Sequence, residues 1–164
     1  LVLRNIDRAG RPPLYLLTAQ QARLFYEVSA SILDLPEPQL AHVEDLQIPM
    51  RDGSAIKARL FAPSPLSKGV PLPALVFFHG GGFTIGSIQT HNVLCRELSR
   101  IGHCAVISVD YRLAPENPYP AAIEDAGAAY DFLVEQGVRP ETLLLAGDSA
   151  GGGLSLDLMQ KLCD

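Results

Sequence analysis

Apolar residues at Leu24, Phe25, Val28 and Ile32 fall on one helical face, behind a Thr18 to Gln21 spacing that suits a capping box. This predicts an amphipathic helix near the N-terminus. Residues 42–50 and 54–62 then flank Arg51-Asp52-Gly53, a turn signal that makes them a hairpin. Residues 63–73 are rich in proline and serine and read as a surface connection. Beyond them short apolar runs alternate with helical patterns. The run 74–78 precedes a helix carrying Leu94, Leu98 and Ile101 and closed by Gly102. The run 104–109 precedes a helix opened by Pro120 and closed by Gly137, and a last run, 142–146, leads into another helix. The alternation predicts a parallel α/β sheet. In such a sheet ligands bind beyond the carboxyl ends of the strands, where His79, Tyr111 and Ser149 all fall.

Two glycine-rich motifs sit at those strand ends. Gly147-Asp148-Ser149-Ala150-Gly151 joins a strand to a helix, the context a nucleophilic serine of the G-x-S-x-G type requires. Small neighbours let the backbone turn tightly and push the Ser149 hydroxyl clear of the sheet. A glycine-rich helix start that merely packs on a strand is the plainer reading. His79-Gly80-Gly81-Gly82 follows the 74–78 run and resembles an oxyanion loop. Backbone amides at Gly81 and Gly82, with that of Ala150, can face the charge that grows on a carbonyl oxygen under attack. A phosphate cradle is disfavoured because neither G-K-[ST] nor G-x-G-x-x-G occurs.

With Asp110-Tyr111-Arg112-Leu113-Ala114-Pro115-Glu116 lying between these motifs, the chain resembles the hormone-sensitive-lipase-like branch of the α/β-hydrolases from about Val43 onward. The resemblance implies an α/β-hydrolase core over residues 41–164 and an N-terminal helical cap over residues 1–40. It implies a serine carboxylesterase or lipase with no cofactor and no metal, acting through an acyl-enzyme on short or medium acyl esters. Ser149 is then the nucleophile, Gly81, Gly82 and Ala150 supply oxyanion amides, and His79 with Gly80 supports the loop. Tyr15, Leu16, Phe25, Tyr26, Phe83 and Asp148 are candidates for the substrate pocket, the aromatic residues of the cap serving equally well as glue between helix and sheet. The segment 111–116 reads as a scaffold turn, with Arg112 and Glu116 as a structural ion pair or tether.

A serine needs a general base, and in this fold the order is serine, acid, histidine. All four histidines, His42, His79, His91 and His103, precede Ser149, and the only later carboxylate side chains are Asp157 and Asp164. Asp157 lies eight residues along the helix, about 12 Å at ~1.5 Å per residue. His103 belongs at the far end of its strand, His91 on a solvated helix face, and His79 in the service of the glycine loop. Triad acid and histidine are therefore not expected in this chain. It opens on Leu1 and stops at Asp164 inside a helix, so the expectation is the front half of an esterase, truncated after the nucleophile helix, with a complementing C-terminal half and one sheet edge unpaired. A non-catalytic, receptor-like ligand-binding protein on the same scaffold is the competing class, and lactone or thioester hydrolysis would use the same residues.

Composition narrows the partners. A net charge of −5 without a basic stripe disfavours nucleic acid. No apolar run approaches the ~20 residues of a membrane span. Cys95, Cys104 and Cys163 lack C-x-x-C spacing and read as buried free thiols of a reducing, cytoplasmic setting; the sequence leaves oligomeric state open.

Overall fold

The computed structural model describes residues 12–65 and 73–163, so the first eleven residues of the expected cap, residues 66–72 of the connection and Asp164 lie outside the described residues. Helix α1 is Ala19–Leu33, and Thr18 caps it through a complete capping box with Gln21. Strands β1 (His42–Pro49) and β2 (Ala55–Ala62) form the expected antiparallel hairpin. They are followed by β3 (Ala74–Phe78), α2 (Asn92–Gly102), β4 (Ala105–Asp110), α3 (Ala121–Glu135), β5 (Leu143–Gly147) and α4 (Ala150–Cys163).

The sheet has five strands in the order β1-β2-β4-β3-β5, antiparallel from β1 to β4 and parallel from β4 to β5. The chain leaves β3 toward β4 on one side and then crosses to β5 on the other. That reversal opens a crevice at the carboxyl ends of β3 and β5, where Phe78 pairs with Gly147. Among the described residues β5 pairs only with β3 and forms one edge of the sheet.

Each face of the sheet has its own core. Ile48, Val76, Phe78, Ile107 and Val109 pack with Ile123, Ala126, Leu133, Leu154 and Leu158 of α3 and α4. Phe61, Phe77 and Val106 pack with Cys95 of α2 and with Cys104. Strand β4 is buried on both sides over Ala105 to Val109, which is why its sequence is apolar there but for Ser108.

Several expectations need correction. Helix α2 does not bury Leu94 and Ile101, which are exposed; its inner face is Cys95, Leu98 and Ser99. The Ser99 hydroxyl donates there to the carbonyls of Cys104 and Phe61. The left-handed residue after α2 is His103 (φ 49°), beyond Gly102. Cys163 is exposed, whereas Cys95 and Cys104 are buried and burial pushes the Cys95 thiol up to about 12. Of the apolar face expected for α1, Leu24, Val28 and Ile32 are exposed and Phe25 is partly buried, and only Ala22 of this helix is fully buried.

Candidate active site

Ser149 sits between the end of β5 and the start of α4 with φ 51°, a left-handed conformation rare for a residue carrying a side chain. The turn is tight because its flanks are bare. A Cβ on Gly147 would press into Gly151 and the Phe78 carbonyl, and one on Gly151 would overlap the carbonyls of Phe78 and His79. Only glycine lets α4 start this close to β3. The result leaves Ser149 exposed while its neighbour Gly151 is buried.

The glycine loop is fastened beside it from below and from the side. The Gly80 amide donates to Asp148 Oδ1 at 2.8 Å, joining the loop directly to the serine turn. The same oxygen lies 3.2 Å from His91 Nε2. Gly81 (φ 123°) and Gly82 (φ 60°) adopt conformations that favour glycine, and Phe83 continues the loop at φ 59°. Among the described residues the amides of Gly81, Gly82 and Ala150 donate to no backbone carbonyl and to no side chain, as an oxyanion site requires. Ala114 anchors the far side of the loop, its amide donating to the Phe83 carbonyl at 2.8 Å.

His79 is wholly buried, its ring stacked 4.3 Å from Tyr111 and 5.7 Å from His91. Its Nδ1 meets the Gly80 carbonyl at 2.8 Å, which makes Nδ1 the protonated nitrogen, and Nε2 has no partner among the described residues. Burial drives its pKa down to about 4, so the ring is neutral near pH 7. The Tyr111 hydroxyl donates to the His79 carbonyl at 2.6 Å, and burial, reinforced by Asp148 and Asp110, raises its own pKa. An imidazole enclosed in this way supports the loop and is not placed to take a proton from an exposed serine.

The remaining candidates divide. Tyr26 lies close enough to Asp148 that, after burial, this carboxylate is the second cause raising its pKa. Asp148 is tied through Oδ1 to the loop and to His91, while its side chain stays about half exposed. Phe83 is 40% exposed, and Tyr15 (84%) and Leu16 (68%) are more exposed still. Phe25 is partly buried on α1. Neither of two clefts, about 500 Å³ and about 370 Å³, includes Ser149 or the glycine loop in its lining.

Two expectations about charged residues fail. His91 is buried, not solvated: it ends a 3-10 turn, Gln89–His91, that tucks the ring against Phe77 and His79. Arg112 and Glu116 do not pair. Arg112 binds the fully buried Asp125 of α3 through both Nε and Nη2, while Glu116 pairs with Arg23 of α1. Arg23 also donates to the carbonyls of Thr84 and Ala114, and Gln20 and Glu27 of the same helix bind Glu116 and Ser87. Sequence reasoning missed this polar edge, whose Gln20, Arg23 and Glu27 spacing of three and four is itself a helical signal.

No group of three or more His, Cys, Asp or Glu among the described residues could hold a metal ion, and no helix there is long and apolar enough to cross a membrane. His42 pairs with Glu44 on β1, and Asp157 is exposed on α4.

Comparison with known proteins agrees with this geometry. The family described as alpha/beta hydrolase fold matches residues 75–164. The carboxylic ester hydrolase LipN of Mycobacterium tuberculosis is 46% identical over 136 residues, covering 79% of this chain and 35% of its own. The ethyl acetate hydrolase of Pseudomonas putida is 35% identical over 92% of this chain and 48% of its own. Among solved structures, an ester hydrolase from the metagenome of Lake Arreo, complexed with a bipyridine phosphonate derivative, superposes with a TM-score of 0.90 at 35% identity, covering 99% of this chain and 52% of that one. The chain thus spans about half the length of these relatives or less. Together the matched motifs, the strand order and these relatives place the chain in the α/β-hydrolase fold family, in its hormone-sensitive-lipase-like branch.

Proposed function

We propose that this chain is the nucleophile-bearing half of a carboxylic ester hydrolase. The observation that carries the reading is the left-handed Ser149 beside uncommitted amides at Gly81, Gly82 and Ala150. Ser149 Oγ would attack the ester carbonyl carbon, the carbonyl oxygen would take the electron pair, and the three amides would stabilise that charge. Collapse expels the alcohol and leaves an acyl-Ser149, which water then hydrolyses. The proton from Ser149 needs a base. The histidine and its acid would come from residues outside these 164, in line with relatives about twice as long. Residues up to about 40 would cap the site, with Tyr26 and Phe83 toward the substrate. A small acyl ester suits the reading, since one relative is an ethyl acetate hydrolase.

The test is hydrolysis of a 4-nitrophenyl ester by the chain alone, by the chain with a C-terminal half supplied, and by Ser149→Ala in both settings. Turnover that needs both Ser149 and the added half supports the reading. Ser149-dependent turnover by the chain alone, at ordinary esterase rates, would overturn the half-site assignment. Stoichiometric ester binding without turnover in the complemented protein would favour a receptor on the same scaffold.

A further inference from the structure

His91 is buried, titratable and unused by the reaction above, yet it touches the machinery. Its Nδ1 lies 2.8 Å from the Thr90 hydroxyl and its Nε2 lies 3.2 Å from Asp148 Oδ1. Thr90 is itself held: its Oγ1 accepts from the Ser87 amide at 2.9 Å and its hydroxyl donates to the Ser87 carbonyl at 2.9 Å. The ring is therefore held between Thr90 on its Nδ1 side and Asp148 on its Nε2 side. Asp148 Oδ1 in turn accepts the Gly80 amide at 2.8 Å. A single carboxylate oxygen thus joins the buried ring, the serine turn and the first glycine of the loop.

Resting on the reading of Gly81 and Gly82 as oxyanion donors, we infer that His91 is a positioning residue that sets the aim of those donors through Asp148 and Gly80. The Asp148 side chain is about half exposed, so without a second anchor it has freedom to swing toward water and release the Gly80 amide. The His91 ring is fixed by Thr90 and by packing on Phe77 and His79, and it supplies that anchor from inside the protein. Catalysis suffers more than binding when such an anchor is lost, because misaimed donors fail only as charge develops.

Hydrogen exchange at the Gly80 amide tests the tie in this chain without any turnover. In His91→Phe, Gly80 exchange should speed up by at least about tenfold, while Val76 and Phe78 in β3 stay within about twofold. Thr90→Val, which keeps the ring and removes its clamp, should give a smaller rise. His91→Gln, whose amide can still donate to Asp148, should restore slow exchange. In Ser149-dependent ester turnover, His91→Phe should lower kcat by about tenfold or more with KM within about threefold, and His91→Gln should recover most of it. Unchanged Gly80 exchange in both His91→Phe and Thr90→Val, or a KM rise matching the kcat loss, overturns the inference. If His91→Phe does not fold, the same criteria apply to Thr90→Val, with His91→Gln as the variant that keeps slow exchange. Absence of any Ser149-dependent turnover in the parent chain complemented with its C-terminal half defeats the esterase reading instead, and leaves the exchange result to judge the tie.

Discussion

Two regions border Ser149, and they are held in place by opposite means. The serine turn and the glycine loop are set by backbone packing so close that no Cβ fits at Gly81, Gly147 or Gly151. Helix α1 reaches the same neighbourhood on side chains: Gln20, Arg23 and Glu27 bind residues 84, 87, 114 and 116 while Leu24, Val28 and Ile32 face outward. A region defined by the absence of side chains has no means of adjusting when one is added. One defined by long polar side chains tolerates change at a modest cost, because water can replace much of what is lost.

The largest expected effect follows from the first kind of packing. Gly151→Ala drives a Cβ into the carbonyls of Phe78 and His79, and neither strand end can retreat without breaking the β3 to β5 pairing. A loss of at least about 3 kcal/mol is expected, about 6–12 °C in Tm for a domain of this size. Gly153→Ala, two residues on in the same helix, meets nothing within 4 Å and should be neutral or gain up to about 1 kcal/mol from helix propensity. Urea unfolding of the pair measures this directly. Equal effects at the two positions would show that the turn is looser than its geometry.

Next comes acid. Burial lowers the His79 pKa from 6.5 to about 4, so between these values the unfolded chain binds a proton that the folded chain refuses. Stability therefore rises with pH across this window and falls on acidification, by about 3 kcal/mol at its lower end. His79→Asn keeps a donor for the Gly80 carbonyl and removes the titration. The variant should start less stable near neutral pH and lose less than wild type between about pH 6.5 and about pH 4. Parallel stability curves for the two proteins would mean that His79 is accessible to protons in the native state.

What the sequence made legible tracks the same division. Gly81, Gly147 and Gly151 announce their turns because no Cβ fits there, and the predominantly apolar runs of β3 and β4 announce strands buried on both faces. The capping box fixed the start of α1 to the residue. Amphipathicity, however, says that a helix has two faces and not which one turns inward. For α1 the docking partners Thr84, Ala114 and Glu116 lie 61 to 93 residues away, and no local pattern encodes them. His91 was misread for a related reason. A histidine at the start of a polar helix looks solvated until the loop before it folds under Asp148. Arg112 found Asp125 instead of Glu116 because that carboxylate is buried on α3 and needs a cation more than an exposed one does.

Arg23 tests the side-chain region. It donates to Thr84 and Ala114 carbonyls at 2.8 and 2.7 Å and to Glu116 at 2.6 Å, with about a quarter of the side chain exposed. Arg23→Ala should cost about 1–2 kcal/mol, since water reaches part of what is lost. Arg23→Lys should recover little, because an ammonium cannot reproduce the planar fork that spans both carbonyls. Hydrogen exchange should rise through α1 and spare β4. A rise that includes β4 would mean that α1 is part of the global folding unit and not a docked element.

The smallest effect is the sharpest test of which face of α1 matters. Leu24 and Ile32 are 64% and 66% exposed, so exchanging either for glutamine removes little apolar area from any contact, and glutamine is as good a helix former as leucine. Each substitution should change unfolding stability by less than about 0.5 kcal/mol. Leu133, on the inner face of α3 and 5% exposed, is the matched control: truncation to alanine there empties space between α3 and the sheet and should cost about 2–5 kcal/mol. If Leu24→Gln and Ile32→Gln instead cost as much as a core truncation in this isolated chain, the outward face of α1 must already be covered in solution. Concentration-dependent unfolding would then separate a second copy of the chain, whose cover is lost on dilution, from a rearranged helix, whose stability is independent of concentration.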